Sequence, residues 1–445
     1  MPSAAQAVLA SWSFPPWITG LNLFAALLYA RGWLALHHTL PGRFTPARLV
    51  SFLAGIATLQ IALASPIDAF DPFLLTNHMF QHMLLMMIVP PLLLLGDPVM
   101  PLLHGLPLWA ARFVFGPLFR FRPLVLLGRF LTNPPVALLL ASLAMIGWHL
   151  SAPYELALRS PGWHEIEHAC FLISAIFFWW PVVQPWPSRA RWNPWMLPVY
   201  LLLADFVNSA VSAFLVFSDR VYYPFYLQMP RLGGISAQND QVAAGMIMWV
   251  IGSFAFLIPA TAITVRLLSP ARPQVERPSR PPLPEPGIVS RLLLAVALVL
   301  PVAAICYGYW APDKIDIDGD AVRAQQASGP FHITVFTARD PVAAGEFEVA
   351  VLVQEEDTGR VILDSDVEIA VAPAGTAAGG DFEFIKATRD RAQNKLLEAA
   401  ALELPSGGTW LLRVSARRGS DQGSLACGLQ VAPPAGPHAS GTAVP

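Results

Sequence analysis

Residues 77–98 read NHMFQHMLLMMIVPPLLLLGDP: two histidines four positions apart, then an apolar run that ends on Gly-Asp-Pro. Side chains at i and i+4 share one face of a helix, separated by roughly 6 Å of rise. The run is long enough to cross a hydrocarbon core of ~30 Å. The stretch therefore predicts a membrane helix that opens on two imidazoles.

The rest of the chain supports a membrane setting. Of its 445 residues, 55% are hydrophobic and 13% charged, too apolar for an ordinary soluble enzyme. Spans are predicted over 17–36, 49–65, 77–95, 134–150, 164–183, 195–217, 241–265 and 288–309. Cytoplasmic connections retain arginine. Those after the odd-numbered spans carry thirteen arginines, among them Arg43, Arg48, Arg112, Arg120, Arg122 and Arg129, against only Arg159, Arg220 and Arg231 after the even ones. That bias places the amino terminus outside and, after eight crossings, the carboxyl-terminal region outside too. Residues 106–121 are apolar, but Arg112 and Arg120 and the helix-breaking Pro117 favour an interfacial cytoplasmic helix over a ninth span. The opening segment has no basic start and is not read as a cleaved signal peptide.

The expected fold is an all-α polytopic membrane helix bundle of about eight transmembrane helices, followed by a small all-β Ig-like sandwich. A seven-helix domain would cover 1–270, a Pro-rich linker with the eighth helix 271–310, the exported sandwich 311–433 and a disordered tail 434–445. The sandwich is read from about seven short alternating segments, including FHITVFTA and EFEVAVLVQEE, set between Gly, Pro and Asp turns. Cys170, Cys306 and Cys427 allow no disulfide framework, and a net charge of -2 with no phosphate loop excludes NTPase and nucleic-acid readings.

Orientation fixes depth. His78, His82, His149, His164 and His168 fall in one outer layer, whereas His37, His38 and His104 fall on the cytoplasmic side. A single histidine there would most simply hydrogen-bond a nearby backbone group, but two i, i+4 pairs at one depth point to a shared metal. Neutral imidazole commonly binds copper, zinc and iron, and a neighbouring thioether such as Met83 favours Cu(I). On span six, Asp205 heads a polar stripe with Asn208, Ser209 and Ser212, and an acid in hydrocarbon either faces a wet cavity or makes an interhelical bond. Glu167 and Asp240 are candidates for orienting ligands at the outer face. Three other readings compete. HEIEH at 164–168 matches the zinc-protease pattern H-E-x-x-H, which needs a third ligand; Asp205 could supply it, but the pair at His78 and His82 would then be unexplained. Haem ligation and copper transport are the others, and the apolar inner halves of spans three and five disfavour a channel.

NHMFQHMLLMMIVPPLLLLGDP, with GWHLSAPYELALRSPGWHEIEHACFLISAIFFWWPVV and DQVAAGMIMWVIG, resembles the multi-span CtaG family of cytochrome c oxidase assembly factors over about 17–265. The likeness runs through His78, His82, Pro90, Pro91, Gly96, His149, His164, Glu167, His168 and the 240–252 segment. It implies a bacterial plasma-membrane protein, not an enzyme, that helps make active haem-copper oxidase by supplying copper. The implied partners are oxidase subunits and periplasmic copper carriers, with a dimer the oligomeric state considered. Copper would sit among His78, His82, His164 and His168, with His149 and Met83 secondary and Asp205 beneath. The carboxyl-terminal region is more distantly similar to YtkA/FixH-type exported domains. Its one histidine before the tail, His332, suggests partner docking and no complete metal site.

Overall fold

The computed structural model describes residues 4–186, 188, 192–269, 321–337, 342–375 and 384–433. The linker and eighth span expected over 271–310, the first ten residues assigned to the sandwich and the tail 434–445 lie outside the described residues.

Seven long helices form the first body: α1 Pro16–Thr39, α2 Pro46–Ala64, α3 Leu75–Leu95, α4 Pro134–Trp148, α5 Pro161–Val183, α6 Met196–Phe217 and α7 Ala237–Leu268. Proline occupies the first turn of α1, α2, α4 and α5, where its missing N–H costs no helical bond. Six helices are long and apolar enough to span a bilayer, α2 together with the short helix Pro66–Phe70 that continues it. A seventh span arises if α4 is joined to Arg122–Leu131 across a 70° bend. The protein is a multi-pass membrane protein. Residues 106–121 do form short helices beside the bundle and no span.

Helix α3 is broken by its own prolines. Pro90 has no N–H for the Met86 carbonyl four residues back, and a π-turn occupies Leu84–Ile88 just above it. The Trp179 indole of α5 donates to that carbonyl at 2.9 Å, so the lost bond is replaced from a neighbouring helix. At its far end α3 stops on Gly96 and Asp97. Asp97, at φ 50, accepts from the backbone N–H of Trp186 at 2.8 Å and pairs with Arg43 at 3.0 Å and with Arg48. The Tyr29 hydroxyl donates to Gly96 O at 2.6 Å. This arginine end lies opposite the histidines. There the helix Val99–Gly105 presses on α1 so closely that a Cβ on Gly32 or Gly105 would overlap backbone atoms of Pro101 or Leu28.

The second body is a two-sheet β-sandwich, so the fold is a helical bundle followed by an all-β domain. Its strands are β1 Ala321–Ser328, β2 Phe331–Thr337, β3 Val342–Ala343, β4 Gly345–Glu355, β5 Asp366–Pro373, β6 Ile385–Lys386, β7 Glu398–Leu404, β8 Gly408–Arg418 and β9 Asp421–Ala432. One sheet has the order β1-β2-β4-β7, the other β3-β9-β8-β5-β6. Ile333, Val335, Val349 and Val351 of the first sheet share a core with Ile369, Leu412, Val414 and Leu425 of the second. Three details differ from the sequence reading. Strand β1 was not expected, because AVRAQQAS has no apolar alternation, nor was the two-residue β3, and β9 begins at Asp421, six residues before the cysteine that marked it.

The alternation expected of a half-solvated strand fails in β2 and β4, and the reason is the bundle. Phe336, Ala350 and Leu352 point away from the sandwich core yet are fully buried, because they join the apolar core of the helices. Phe336 meets Phe73 edge to face at 5.9 Å. Asn394 Nδ2 donates to Ala69 O at 3.1 Å, the Lys395 N–H to Ser11 Oγ at 2.7 Å, and Gln354 Nε2 to Arg231 O at 3.1 Å. The sandwich therefore sits on the histidine end of the bundle, while α7 ends at the arginine end.

Candidate metal centre

The first two turns of α3 carry His78 and His82, and the first two turns of α5 carry His164, Glu167 and His168. Both helices start at the same end, so the pairs face each other. The ring centroids of His78 and His82 lie 4.3 Å apart, those of His164 and His168 4.2 Å, and across the helices His78 is 5.1 Å from His164 and His82 5.4 Å from His168. His149, which caps the end of α4, approaches His82 at 6.4 Å. The five histidines expected in one layer do converge.

Two groups have ligand atoms within 4.8 Å of one another: His78, His82 and His168, and Asp71, His78 and His164. Carboxylates stand at both ends of His78. Asp71 Oδ2 is 3.3 Å from its Nδ1 and 3.2 Å from His164 Nε2. Glu167 lies 3.8 Å from His78 Nε2 and 3.9 Å from His82 Nε2. Asp71 and Glu167 are both fully buried. His149 Nδ1 lies 2.7 Å from Met145 O; as a donor to that carbonyl it leaves Nε2 free to act as a ligand.

The remaining polar atoms test whether a metal fits. Both ring nitrogens of His82, Nε2 of His149 and of His168, and both oxygens of Glu167 are buried without a hydrogen-bond partner. Leaving one such group unpaired costs about 1–3 kcal/mol. So many in one cluster match a cation bound between imidazole and carboxylate donors.

The outer groups shape the centre. Asp240, in the first turn of α7, accepts from the N–H groups of Leu75 and Thr76 at 2.7 and 3.0 Å. It thus caps α3 from another helix and sets the histidine-bearing turns, and it touches no imidazole in the interactions described. Tyr154 packs 5.1 Å from His78 and stacks on Tyr223 at 4.0 Å. Tyr223 donates to His149 O at 2.9 Å and Tyr226 to Asp71 O at 3.2 Å. Burial holds all three phenols well above their ordinary pKa, so they stay protonated donors.

Of the remaining sequence-based residues, Asp205 stands differently from expectation. Asp205 is half-buried, accepts from Ser253 Oγ on α7 at 2.9 Å and belongs to neither ligand group, so it is an interhelical bond and no floor to the centre. Met83 is fully buried in the apolar core. Glu165, the glutamate of the H-E-x-x-H pattern, is exposed, whereas Glu167 lies among the imidazoles. Asp71 and the three tyrosines were missed. They sit in connections, though Asp71 in PIDAFDPF is, with Asp68, one of two acids in an apolar outer loop, at the same depth as the histidines.

A family model described as cytochrome c oxidase caa3 assembly factor (Caa3_CtaG) matches residues 27–269, a range that holds every histidine of the centre. The chain belongs to the Caa3_CtaG family. This Caa3_CtaG protein is similar to uncharacterized proteins of Mycobacterium bovis and Mycobacterium tuberculosis, 27% identical over 276 residues, which is 60% of this chain and 40% of each relative. A Mycobacterium leprae protein is 25% identical over 261 residues, 57% of this chain and 38% of the relative. The chain thus spans about two fifths of the length of these curated relatives. No solved structure matches it.

Proposed function

We propose that this assembly factor binds copper as cargo in the histidine centre and passes it by ligand exchange to an oxidase subunit or a copper carrier. The carrying observation is the set of buried, unpartnered imidazole nitrogens and Glu167 oxygens at one end of a family-defined bundle. The bundle would lie in the bacterial plasma membrane with the histidine end and the sandwich outside, as the arginine bias suggests.

We favour a different oxidation state from the expected Cu(I). With a metal bound, the two fully buried acids Asp71 and Glu167 and the neutral imidazoles would supply the charge that a divalent ion balances, with no thioether in the shell. Cu(II) suits that set better than the Cu(I) suggested by nearby methionines.

Exposure of Glu165 argues against the protease reading, since a glutamate turned away from the metal cannot activate a water on it. Imidazoles packed at 4.2–6.4 Å between centroids leave no slot for a planar macrocycle, which argues against haem. Towards the other end, the cavity lined by Met86, Met87, Met145 and Phe178 is small, about 40 Å³, and apolar, which favours hand-over at the histidine end above transport.

The test is metal content with paramagnetic resonance. Purified full-length protein loaded with Cu(II) should bind it and show nitrogen hyperfine structure, and His78→Ala/His82→Ala should lose most of it. Copper retained at wild-type stoichiometry in that variant would sink the assignment.

A further inference from the structure

The arginine end carries a feature that the metal centre does not use. Between the helices Val99–Gly105 and Arg122–Leu131 and the end of α5 lies a cleft of about 1380 Å³. Its walls are apolar, with Leu103, Leu131, Phe177 and Trp180, and Arg120 and Arg129 also line it. That volume exceeds the ~300–1,000 Å³ of ordinary small-molecule pockets.

Charge selects the occupant. The chain has no Asp or Glu between Asp97 and Glu155, while Arg112, Arg120, Arg122 and Arg129 fall in that stretch. Both cleft arginines are exposed and, among the described residues, neither has an acidic partner. The short helices over this region expose Leu108, Trp109, Phe113, Leu127 and Phe130, the pattern of helices that rest at a headgroup boundary. An apolar cleft with unpaired guanidinium groups at that depth presents the two chemistries of an anionic lipid, acyl chains and phosphate.

We propose that the cleft binds an anionic phospholipid, its phosphate on Arg120 and Arg129 and its acyl chains along Leu103, Leu131, Phe177 and Trp180. The lipid would tie the interfacial helices to the bundle at the end opposite the histidines. This site stands independently of any metal.

Full-length protein in nanodiscs of equal phosphatidylglycerol and phosphatidylcholine, ejected gently into a mass spectrometer, provides the test. Wild type should retain phosphatidylglycerol severalfold over phosphatidylcholine, and Arg120→Gln/Arg129→Gln should bring that ratio close to one. Gly128, also in the cleft wall, has open space around its Cβ. A Gly128→Leu variant, which keeps every charge, should lower retention of both lipids and remains informative if the double variant does not fold. Equal retention of the two lipids by wild type, an unchanged ratio in the arginine variant, or unchanged retention in Gly128→Leu would each overturn the proposal. Loss of the bound lipid on adding millimolar inorganic phosphate alone would also overturn it, by reducing the cleft to a phosphate site.

Discussion

Glu165 and Glu167 are two residues apart in the chain and face opposite environments, one exposed and one wholly enclosed among imidazoles. Their variants should separate accordingly. Glu165→Gln should leave copper content and oxidase assembly unchanged, while Glu167→Gln should weaken copper binding by at least tenfold in a competition titration with a chelator. Asp240 makes a different prediction, because its two oxygens hold the first amides of α3. Asp240→Ala should cost about 1–3 kcal/mol through the orphaned N–H groups, read as a lower Tm in detergent together with reduced copper occupancy. The two histidine pairs and His149 were legible because helical spacing and loop charge together fix face and depth. Asp71 was not. It reaches His164 from a position 93 residues earlier through a loop whose path no periodicity encodes.

At the level of elements, the spans declared themselves through length and apolarity, but the break in α3 needed its neighbour to be understood. PP in an apolar run forecasts a missing backbone donor; only the structure shows that Trp179 supplies it. Trp179→Phe should keep the packing volume and remove that donor, lowering thermal stability by about 1–3 kcal/mol as Met86 O goes unpaired in an apolar setting. The sheets were harder to read. Strands β2 and β4 looked like ordinary sandwich strands, although the run AVLV in β4 already departed from the alternation a solvated face would impose. That departure was the signal of a second packed face. Strand β1, mostly small and polar, carried no signal and is held by its pairing with β2.

On the scale of the whole molecule, the sandwich and the histidine centre are neighbours. The segment that receives the sandwich through Ala69 and Phe73 is the one that carries Asp71. Phe336→Asp would set a charge against Phe73, so the sandwich should detach. Limited proteolysis of the full-length variant should then cut between the two bodies faster than in wild type, and a chelator should strip copper several times faster. Stripping at the wild-type rate, with the cut accelerated, would show that docking does not control access.

For a partner that docked at the histidine end, the sandwich would be a tethered competitor. Joined to the bundle by one chain, it faces the histidine end at an effective concentration on the order of millimolar. A protein that takes its place arrives from free solution at far lower concentration. Such a partner would have to bind that end more tightly than its own concentration suggests, or bind the sandwich itself and lift it away, and on the proposed copper reading only the second route would make its arrival the signal for release.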